Sequence, residues 1–424
     1  MELQTAKGVR DIPPEEKALK NKVVQTLTQV FELYGFAPLE TPILERYETL
    51  AAKFAAGEAS DALKETFRLK DQGDRELGLR FDLTVPLARF IAMNPTLKMP
   101  FKRYELGPVF RDGPIKLGRY RQFWQCDVDI IGSNSMLADA EVLAVVNAAF
   151  RKLKLDVVIK VNNRKILNGI LAQAGITDKE SAIIAIDKLD KIGKEGVTQE
   201  LKVRGYANSQ IERLFSLIKE GVTVKELKNK LTNPEGTAGI TQLEELFGYL
   251  AELGVKNAVF DVSLARGLAY YTGTVLEAYL KKGKITSSLA AGGRWDTMIG
   301  SFIGGNREIP AVGVAFGLEP IMDTLRLEGK VPGTPPAQVY VLPINTPKES
   351  LQIVQQLREQ GISASISLGK KGVSKNLEYA SSLGIPYVLI IGEDELKRNK
   401  VLLREMQTGT EQLLAVREVV NRLK

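Results

Sequence analysis

The spacing of apolar and polar residues divides the chain into two regions with different predicted folds. After residue 336 strands and helices are predicted in alternation: strands at residues 338–343, 362–367 and 387–391, and helices at 347–360 and 373–383. This alternation is typical of a small α/β domain with a buried sheet. Residues 329–336 contain three prolines and two glycines, which predicts a linker before this domain.

The first 328 residues follow a less regular pattern, which predicts an α+β fold around an antiparallel sheet. Apolar residues recur at helical spacing from Pro14 to Tyr34 and throughout the lysine- and glutamate-rich stretch 165–247, where we expect a helical insertion. A hairpin is predicted at residues 66–84, around the turn 72–74. The remaining patterns predict strands at 102–110, 120–131, 258–262, 273–280 and 287–292, and a helix near 318–327.

Composition narrows the chemistry that this chain can perform. Its 424 residues are 44% hydrophobic and 26% charged, as in globular proteins of two or three domains. There is no histidine, so histidine bases, histidine-activated nucleophiles and histidine metal sites are excluded. The single cysteine, Cys126, excludes an internal disulfide and a multi-cysteine metal site. We therefore expect chemistry based on carboxylates, Lys, Arg, Tyr, backbone dipoles or an oxygen-bound cation.

Charge and hydropathy set weak limits on partners and location. The chain has 58 Lys and Arg against 51 Asp and Glu, and its net charge of +7 is compatible with a polyanionic partner without requiring one. No apolar run approaches the ~20 residues that cross a bilayer. The N-terminus lacks the apolar core of a secretory signal. We therefore expect a cytoplasmic protein with no membrane anchor.

Charged and polar residues in or beside predicted strands mark a candidate site. They are Arg80, Asp82 and Thr84, expected on one strand face; Gln125, Asp127 and Asp129, expected on another; and Arg111 and Arg119, which bracket a loop. Carboxylates suit an ammonium group and arginines suit phosphates, so together these residues predict a site for a zwitterion and a polyphosphate. Taken singly, each residue is also explained by a surface salt bridge.

Longer motifs in this region resemble a known family. Residues 102–111 and 118–129 resemble motif 2 of class II aminoacyl-tRNA synthetases, in the form found in histidyl-tRNA synthetases. Residues 36–42 resemble motif 1, and residues 264–274 resemble the histidine-specific motif of the same family. The resemblance extends from one end of the chain to the other.

The resemblance implies a domain organisation and a function. It implies a class II catalytic domain at residues 1–328 with the insertion at 165–247, the linker at 329–336, and an anticodon-binding domain at 337–424. The implied function is ATP-dependent activation of L-histidine to histidyl-adenylate and transfer to tRNA(His), with Mg²⁺ accompanying ATP. A homodimer is implied through the motif 1 region around Pro42.

At matching positions the resemblance also implies roles for individual residues. The histidine-binding residues would be Asp82, Thr84 and Gln125 for the α-ammonium group, Asp129 and Tyr271 for the imidazole nitrogens, and Tyr270 as a wall of that pocket. The ATP-binding and catalytic residues would be Arg111 at the α-phosphate and the substrate carboxylate, Arg119 at the γ-phosphate, and Arg266 at the charge that develops on the α-phosphorus. Metal ligands are not identified.

Two departures from the family pattern keep a second function open. Pro320 stands where motif 3 ordinarily has an arginine that contacts ATP, and Ala269 stands where the histidine motif commonly has an aspartate. The alternative to an active ligase is therefore a catalytically weak relative that acts as a regulatory subunit or as a sensor of histidine or uncharged tRNA.

Overall fold

The computed structural model describes residues 3–52, 64–115, 118–265, 270–304, 307–329, 335–369 and 372–424. The chain forms two compact units, Met1–Lys330 and Val331–Lys424. Among the described residues, no helix combines the length and the apolar character needed to span a bilayer.

The described part of the first unit contains eleven strands and twelve helices. The strands are β1 Ala37–Pro38, β2 Leu44–Arg46, β3 Arg68–Lys70, β4 Glu76–Leu79, β5 Phe101–Phe110, β6 Gln122–Ile131, β7 Val157–Asn163, β8 Ala258–Phe260, β9 Thr274–Leu280, β10 Ala290–Arg294 and β11 Ala311–Gly317. The helices are α1 Pro14–Leu33, α2 Tyr47–Ala52, α3 Thr84–Met93, α4 Met136–Lys152, α5 Arg164–Ala174, α6 Lys179–Ile186, α7 Leu189–Val203, α8 Asn208–Leu217, α9 Val224–Lys230, α10 Pro234–Glu252, α11 Met298–Ile303 and α12 Leu318–Leu327.

An eight-stranded sheet organises this unit. Its strand order is β1-β5-β6-β11-β10-β9-β7-β8. Pairing is antiparallel from β5 through to β7, and the two edge strands β1 and β8 pair in parallel. The predicted α+β class with an antiparallel sheet is confirmed. The stretch predicted to be a helical insertion is also helical, since α5 to α10 follow one another there.

One face of this sheet is buried beneath helices. On β6, Cys126 and Val128 are fully buried on that face. Phe31 of α1 and Phe150 of α4 pack on Phe316 of β11, with ring centroids 5.5 and 5.6 Å apart. Because side chains alternate along a strand, the polar residues of β6 lie on the opposite face.

The predicted strand at residues 75–84 is wrong in its second half. β4 ends at Leu79 and α3 begins at Thr84, with a turn between them. Asp82 Oδ1 accepts a hydrogen bond from the backbone N–H of Val85 at 3.0 Å. This contact satisfies a backbone donor in the first turn of α3, as helix-capping side chains do. Arg80, Asp82 and Thr84 therefore do not share a strand face.

The second unit is an α/β domain, as its pattern predicts. Its strands are β12 Val339–Ile344, β13 Ala364–Ile366, β14 Tyr387–Gly392, β15 Val401–Glu405 and β16 Glu411–Leu414, and its helices are α13 Pro347–Glu359, α14 Val373–Ser382, α15 Glu393–Lys397 and α16 Val416–Leu423. In the sheet, β13, β12 and β14 are parallel, while β15 and β16 continue it in antiparallel pairing. Val339, Val341, Leu389 and Ile391 form the centre of its apolar core.

Candidate active site

The polar face of the large sheet carries a cavity of about 300 Å³. Seven of the residues to which the resemblance gives a role line it: Asp82, Thr84, Arg111, Gln125, Asp129, Tyr270 and Tyr271. They come from four stretches of chain, namely the turn before α3, the end of β5, the strand β6 and the segment before β9. The fold therefore brings into one cavity residues that are far apart in sequence.

Glycine and alanine form the floor of this cavity. On β11, Gly313 pairs with Asp129 and Ala315 with Asp127. A Cβ atom at Gly313 would lie 1.8 Å from Asp129 Oδ1, so the carboxylate occupies the space that a side chain would need. On β10, a Cβ atom at Gly292 would lie 2.1 Å from the carbonyl oxygen of Gly313. The glycines thus allow close strand packing and leave room above the floor.

A buried ion network lies beside the cavity. Arg103 is fully buried, and its Nη2 lies 2.8 Å from Asp129 Oδ2. Its Nη1 lies 3.6 Å from Oε2 of Glu105, whose other oxygen accepts a hydrogen bond from Arg80 at 2.9 Å. Buried charges are tolerated only when they are paired. Arg103 therefore keeps the carboxylate of Asp129 in a fixed orientation, and Arg80 does the same for Glu105.

The two buried aspartates of β6 differ in their partners. Burial raises the pKa of Asp129 to about 6, although Arg103 and a hydrogen bond from the Trp295 side chain favour its ionised form. Burial raises the pKa of Asp127 well above its ordinary value; Arg103 opposes this shift, whereas Asp129 and other nearby carboxylates add to it. At neutral pH, Asp129 is the better placed of the two to act as a hydrogen-bond acceptor.

Arg111 enters the cavity from the end of β5. Its Nε donates a hydrogen bond to the carbonyl of Phe81 at 3.0 Å, and its guanidinium carbon lies 5.1 Å from the ring centroid of Phe123. Burial lowers the pKa of Arg111, while the negative charge of Asp82 opposes the shift. Neither Nη group has a hydrogen-bond partner among the residues that the structure describes. Both remain available for an anionic ligand.

The two tyrosines form one wall. Their ring centroids are 4.5 Å apart, and the hydroxyl of Tyr270 donates to that of Tyr271 at 3.4 Å. The ring of Tyr271 lies against Gly293, where a Cβ atom would come within 3.0 Å of two ring carbons. Gly293 pairs with Gly313, and Gly313 pairs with Asp129, so these three residues form one row across the neighbouring strands. Tyr271 lies over that row.

Of the predicted arginines, Arg119 does not line this cavity, and Arg266 is not among the described residues. Arg119 is exposed, and its Nη2 forms an ion pair with Glu65 Oε1 at 3.2 Å. Arg119 is absent from the residues that line the described cavity. Arg266 and the neighbouring Ala269 lie outside the described residues.

Several residues in or beneath the cavity have no individual role in the assignment that the family resemblance implies. Asp127, the glycines of the floor and Trp295 line the cavity, and Arg103 lies beneath it. Asp127 had a signal in the alternation of polar residues, because it alternates with Gln125 and Asp129 along β6. The pairing of Gly313 with Asp129 depends on strand register, which the sequence pattern does not contain.

Comparison with known proteins gives one consistent result. Residues 8–321 match a family model described as histidyl-tRNA synthetase, and residues 338–424 match one described as an anticodon binding domain. A histidine–tRNA ligase 1 of Bacillus cereus is 44% identical over 417 residues, covering 97% of each chain, and a histidine–tRNA ligase of Clostridium tetani is 36% identical over 433 residues, covering 98% of this chain and 97% of its own.

A solved structure extends the similarity to the fold. The crystal structure of histidyl-tRNA synthetase from Nostoc sp. PCC 7120 matches with a TM-score of 0.86 and 33% identity, covering all of both chains. The lengths of these matches leave no large part of the chain without a counterpart. The chain belongs to the histidyl-tRNA synthetase family.

Proposed function

We propose that this protein uses ATP to convert L-histidine to histidyl-adenylate and then transfers the histidyl group to tRNA(His). One observation carries the proposal: carboxylates, an amide, two tyrosines and Arg111 line a single cavity. These groups suit an ammonium ion, an imidazole and a phosphate. The B. cereus and C. tetani relatives are named histidine–tRNA ligases, which supports the same reaction.

Within this proposal, β6 orients the amino acid. Gln125 lies near the start of β6, which pairs with the end of β5 just before Arg111. It would bind the α-ammonium group together with Asp82 and Thr84. Gln125 Oε1 is buried and has no hydrogen-bond partner among the described residues, so it can accept from an ammonium group. Asp129 and Tyr271, farther along the sheet, would bind the imidazole nitrogens, with Tyr270 beside them. An apolar analogue would leave these polar groups unpaired, which provides strong discrimination.

The arginines would assist adenylation by electrostatics. A carboxylate oxygen attacks the α-phosphorus in line, so the reaction must overcome repulsion between anions and stabilise the pyrophosphate that leaves. Arg111 would bind the α-phosphate and the substrate carboxylate, and Arg266 would stabilise the charge at phosphorus. Arg119 would leave its ion pair with Glu65 and bind the γ-phosphate of ATP. None of these roles requires a proton-transfer base, so a chain without histidine can perform them.

Mg²⁺ fits this site as a companion of ATP rather than as a resident ion. Within the described ranges, no three carboxylate or cysteine side chains form a group that could hold a metal. Mg²⁺ commonly binds through substrate phosphates and only one or two carboxylates. Bound in this way, it would neutralise phosphate charge alongside the arginines.

The second unit and the motif 1 region would supply the macromolecular contacts. Residues 338–424 match an anticodon-binding domain, and Lys375, Arg398 and Lys400 are exposed there as candidate phosphate contacts. The functional domains proposed are a catalytic domain at 1–328 and an anticodon-binding domain at 337–424. Pro42 is exposed in the single chain, as a residue of a homodimer interface would be. The reaction and its tRNA substrate suit a cytoplasmic location.

Exchange of radioactive pyrophosphate into ATP tests the proposal directly. Exchange should require L-histidine, and Arg111→Ala should slow it by roughly 10²–10³-fold, the loss expected when one preorganised charge partner of a transition state is removed. Arg75→Ala is the control, because Arg75 is exposed and, among the described residues, its ion pair is with Asp71 in the β3–β4 turn. Binding of tRNA without histidine-dependent exchange would reject the ligase and favour the regulatory alternative.

A further inference from the structure

Asp127 is a buried acid of the cavity to which the preceding mechanism gives no role. It is 2% exposed and lines the cavity between Gln125 and Asp129 on the same face of β6. Its Oδ1 has no hydrogen-bond partner among the described residues. Buried polar atoms are nearly always hydrogen-bonded, so an unpaired carboxylate oxygen that borders a cavity requires an explanation.

The neighbours of Asp127 make it costly as a structural residue. Glu105 lies directly opposite it on β5, where like charges destabilise a sheet, and Ala315 on β11 offers no charge. Its electrostatic neighbours are Arg103, which favours the ionised carboxylate, and Asp129, Asp82 and Glu105, which disfavour it. Arg103 already pairs with Asp129 and lies close to Glu105. At Asp127 the cavity therefore has a hydrogen-bond acceptor without a donor and more carboxylates than nearby arginines.

We propose that Asp127 is an additional specificity-determining residue of the amino acid site, and that its carboxylate binds the α-ammonium group of histidine together with Gln125. This inference rests on the proposed function and extends it. Two buried acceptors, Gln125 Oε1 and Asp127 Oδ1, lack donors among the described residues and lie two residues apart on one face of a strand. An ammonium group provides three N–H donors and the positive charge that this part of the cavity needs.

The position of Asp127 also separates it from the imidazole end. Asp129 is held by Arg103 and Trp295 over Gly313, in the row of the sheet that includes Gly293 and Tyr271. Asp127 belongs to the next row towards Gln125 and Arg111. A histidine whose ring contacts Asp129 would therefore present its amino group towards Asp127 and its carboxylate towards Arg111.

A two-by-two comparison tests this assignment. The variants are Asp127→Asn and, as the matched control on the same strand, Asp129→Asn. The ligands are L-histidine and imidazole-4-propionate, which keeps the ring and the carboxylate but lacks the amino group. Binding is measured by inhibition of exchange and by direct titration, together with the KM for ATP and the thermal midpoint of each variant.

Asp127→Asn should weaken the binding of histidine by roughly 10- to 150-fold, the range for a lost hydrogen bond to a charged group. It should leave the affinity for imidazole-4-propionate and the KM for ATP unchanged. Asp129→Asn should weaken the binding of both ligands. Asp127→Glu, which retains the charge, should recover part of the affinity for histidine. Equal losses for the two ligands with Asp127→Asn, or an unchanged KM for histidine, would overturn the inference. If the unmodified protein shows no histidine-dependent exchange, the proposed function fails instead.

Discussion

At the scale of single residues, Lys20 shows how burial changes an ordinary ionisable group. It lies on α1, is 2% exposed, and its Nζ is 3.8 Å from the ring centroid of Trp124. Burial lowers the pKa of Lys20 to about 8, although the negative charge of Glu319 opposes the shift. The sequence pattern identifies α1 but gives no sign that a lysine next to its apolar stripe is covered by β6.

This lowered pKa predicts how stability changes with pH. Between about pH 8 and the ordinary lysine pKa of 10.5, the unfolded chain keeps the Lys20 proton that the folded chain has lost. The free energy of unfolding contributed by this group therefore rises with pH across that window. Urea unfolding of the native protein and of Lys20→Met at pH 7.5 to 10 should give curves that diverge, with the native protein gaining stability relative to the variant. Parallel curves would contradict the shift.

At the scale of elements, the glycines of the central sheet predict a stability contrast. A side chain at Gly292 would collide with backbone atoms of β11, the nearest at 2.1 Å, so Gly292→Ala requires the strands to separate. Gly248 lies on α10, and a Cβ atom added there would have nothing within 4 Å, so this position has room for a methyl group.

We expect Gly292→Ala to lower the free energy of unfolding by about 1–3 kcal/mol, as overpacked cores do. Gly248→Ala should raise it by about 0.5–1 kcal/mol, because alanine loses less backbone entropy in a helix than glycine. Chemical denaturation of both variants measures the contrast. A neutral Gly292→Ala would show that β10 and β11 can move apart without cost.

Pattern analysis predicts well both a helix with one buried face, such as α1, and short strands that are buried almost throughout, such as β12 and β14. α1, α12 and the first three strands of the C-terminal unit are found close to their predicted positions. Pattern analysis does not predict α4. Eleven of its seventeen residues are buried, so there is little polar face against which a helical spacing of apolar residues could be recognised. The alternating polarity of residues 80–84 predicts a strand, yet residues 80–83 lead into α3, which begins at Thr84, and Asp82 accepts a hydrogen bond from its first turn.

At the scale of the whole molecule, some residues of the site can be predicted from the sequence and others cannot. The family resemblance identifies seven residues that line one cavity. It does not identify the pairing of Arg119 with Glu65, because Glu65 lies 54 residues earlier in the chain. It also gives no role to Arg103, which forms a buried ion pair with Asp129. Both pairings depend on how distant segments come together.

The two units predict separable effects on RNA binding and on chemistry. Arg398→Ala combined with Lys400→Ala removes exposed positive charge from the second unit, whereas the cavity belongs to the first. We expect weaker tRNA binding and a salt dependence reduced by roughly 0.7–0.9 in log–log slope for each phosphate that the variant no longer neutralises.

Filter binding at several salt concentrations measures this effect, with histidine-dependent pyrophosphate exchange as the internal control. Exchange should be unchanged, because neither residue belongs to the unit that contains the cavity. Equal tRNA affinity for the variant and the native protein would remove these residues from the proposed RNA surface.

The glycine and alanine floor has a consequence for redesign of this protein. Glycine has no side chain to shorten, so substitutions at Gly313 or Gly293 only add atoms above the sheet. If the proposed site holds the imidazole ring above this floor, room for bulkier histidine analogues cannot be made by shortening residues of the floor. The additional volume must come from the aromatic side, where Tyr270 and Tyr271 still have atoms to lose.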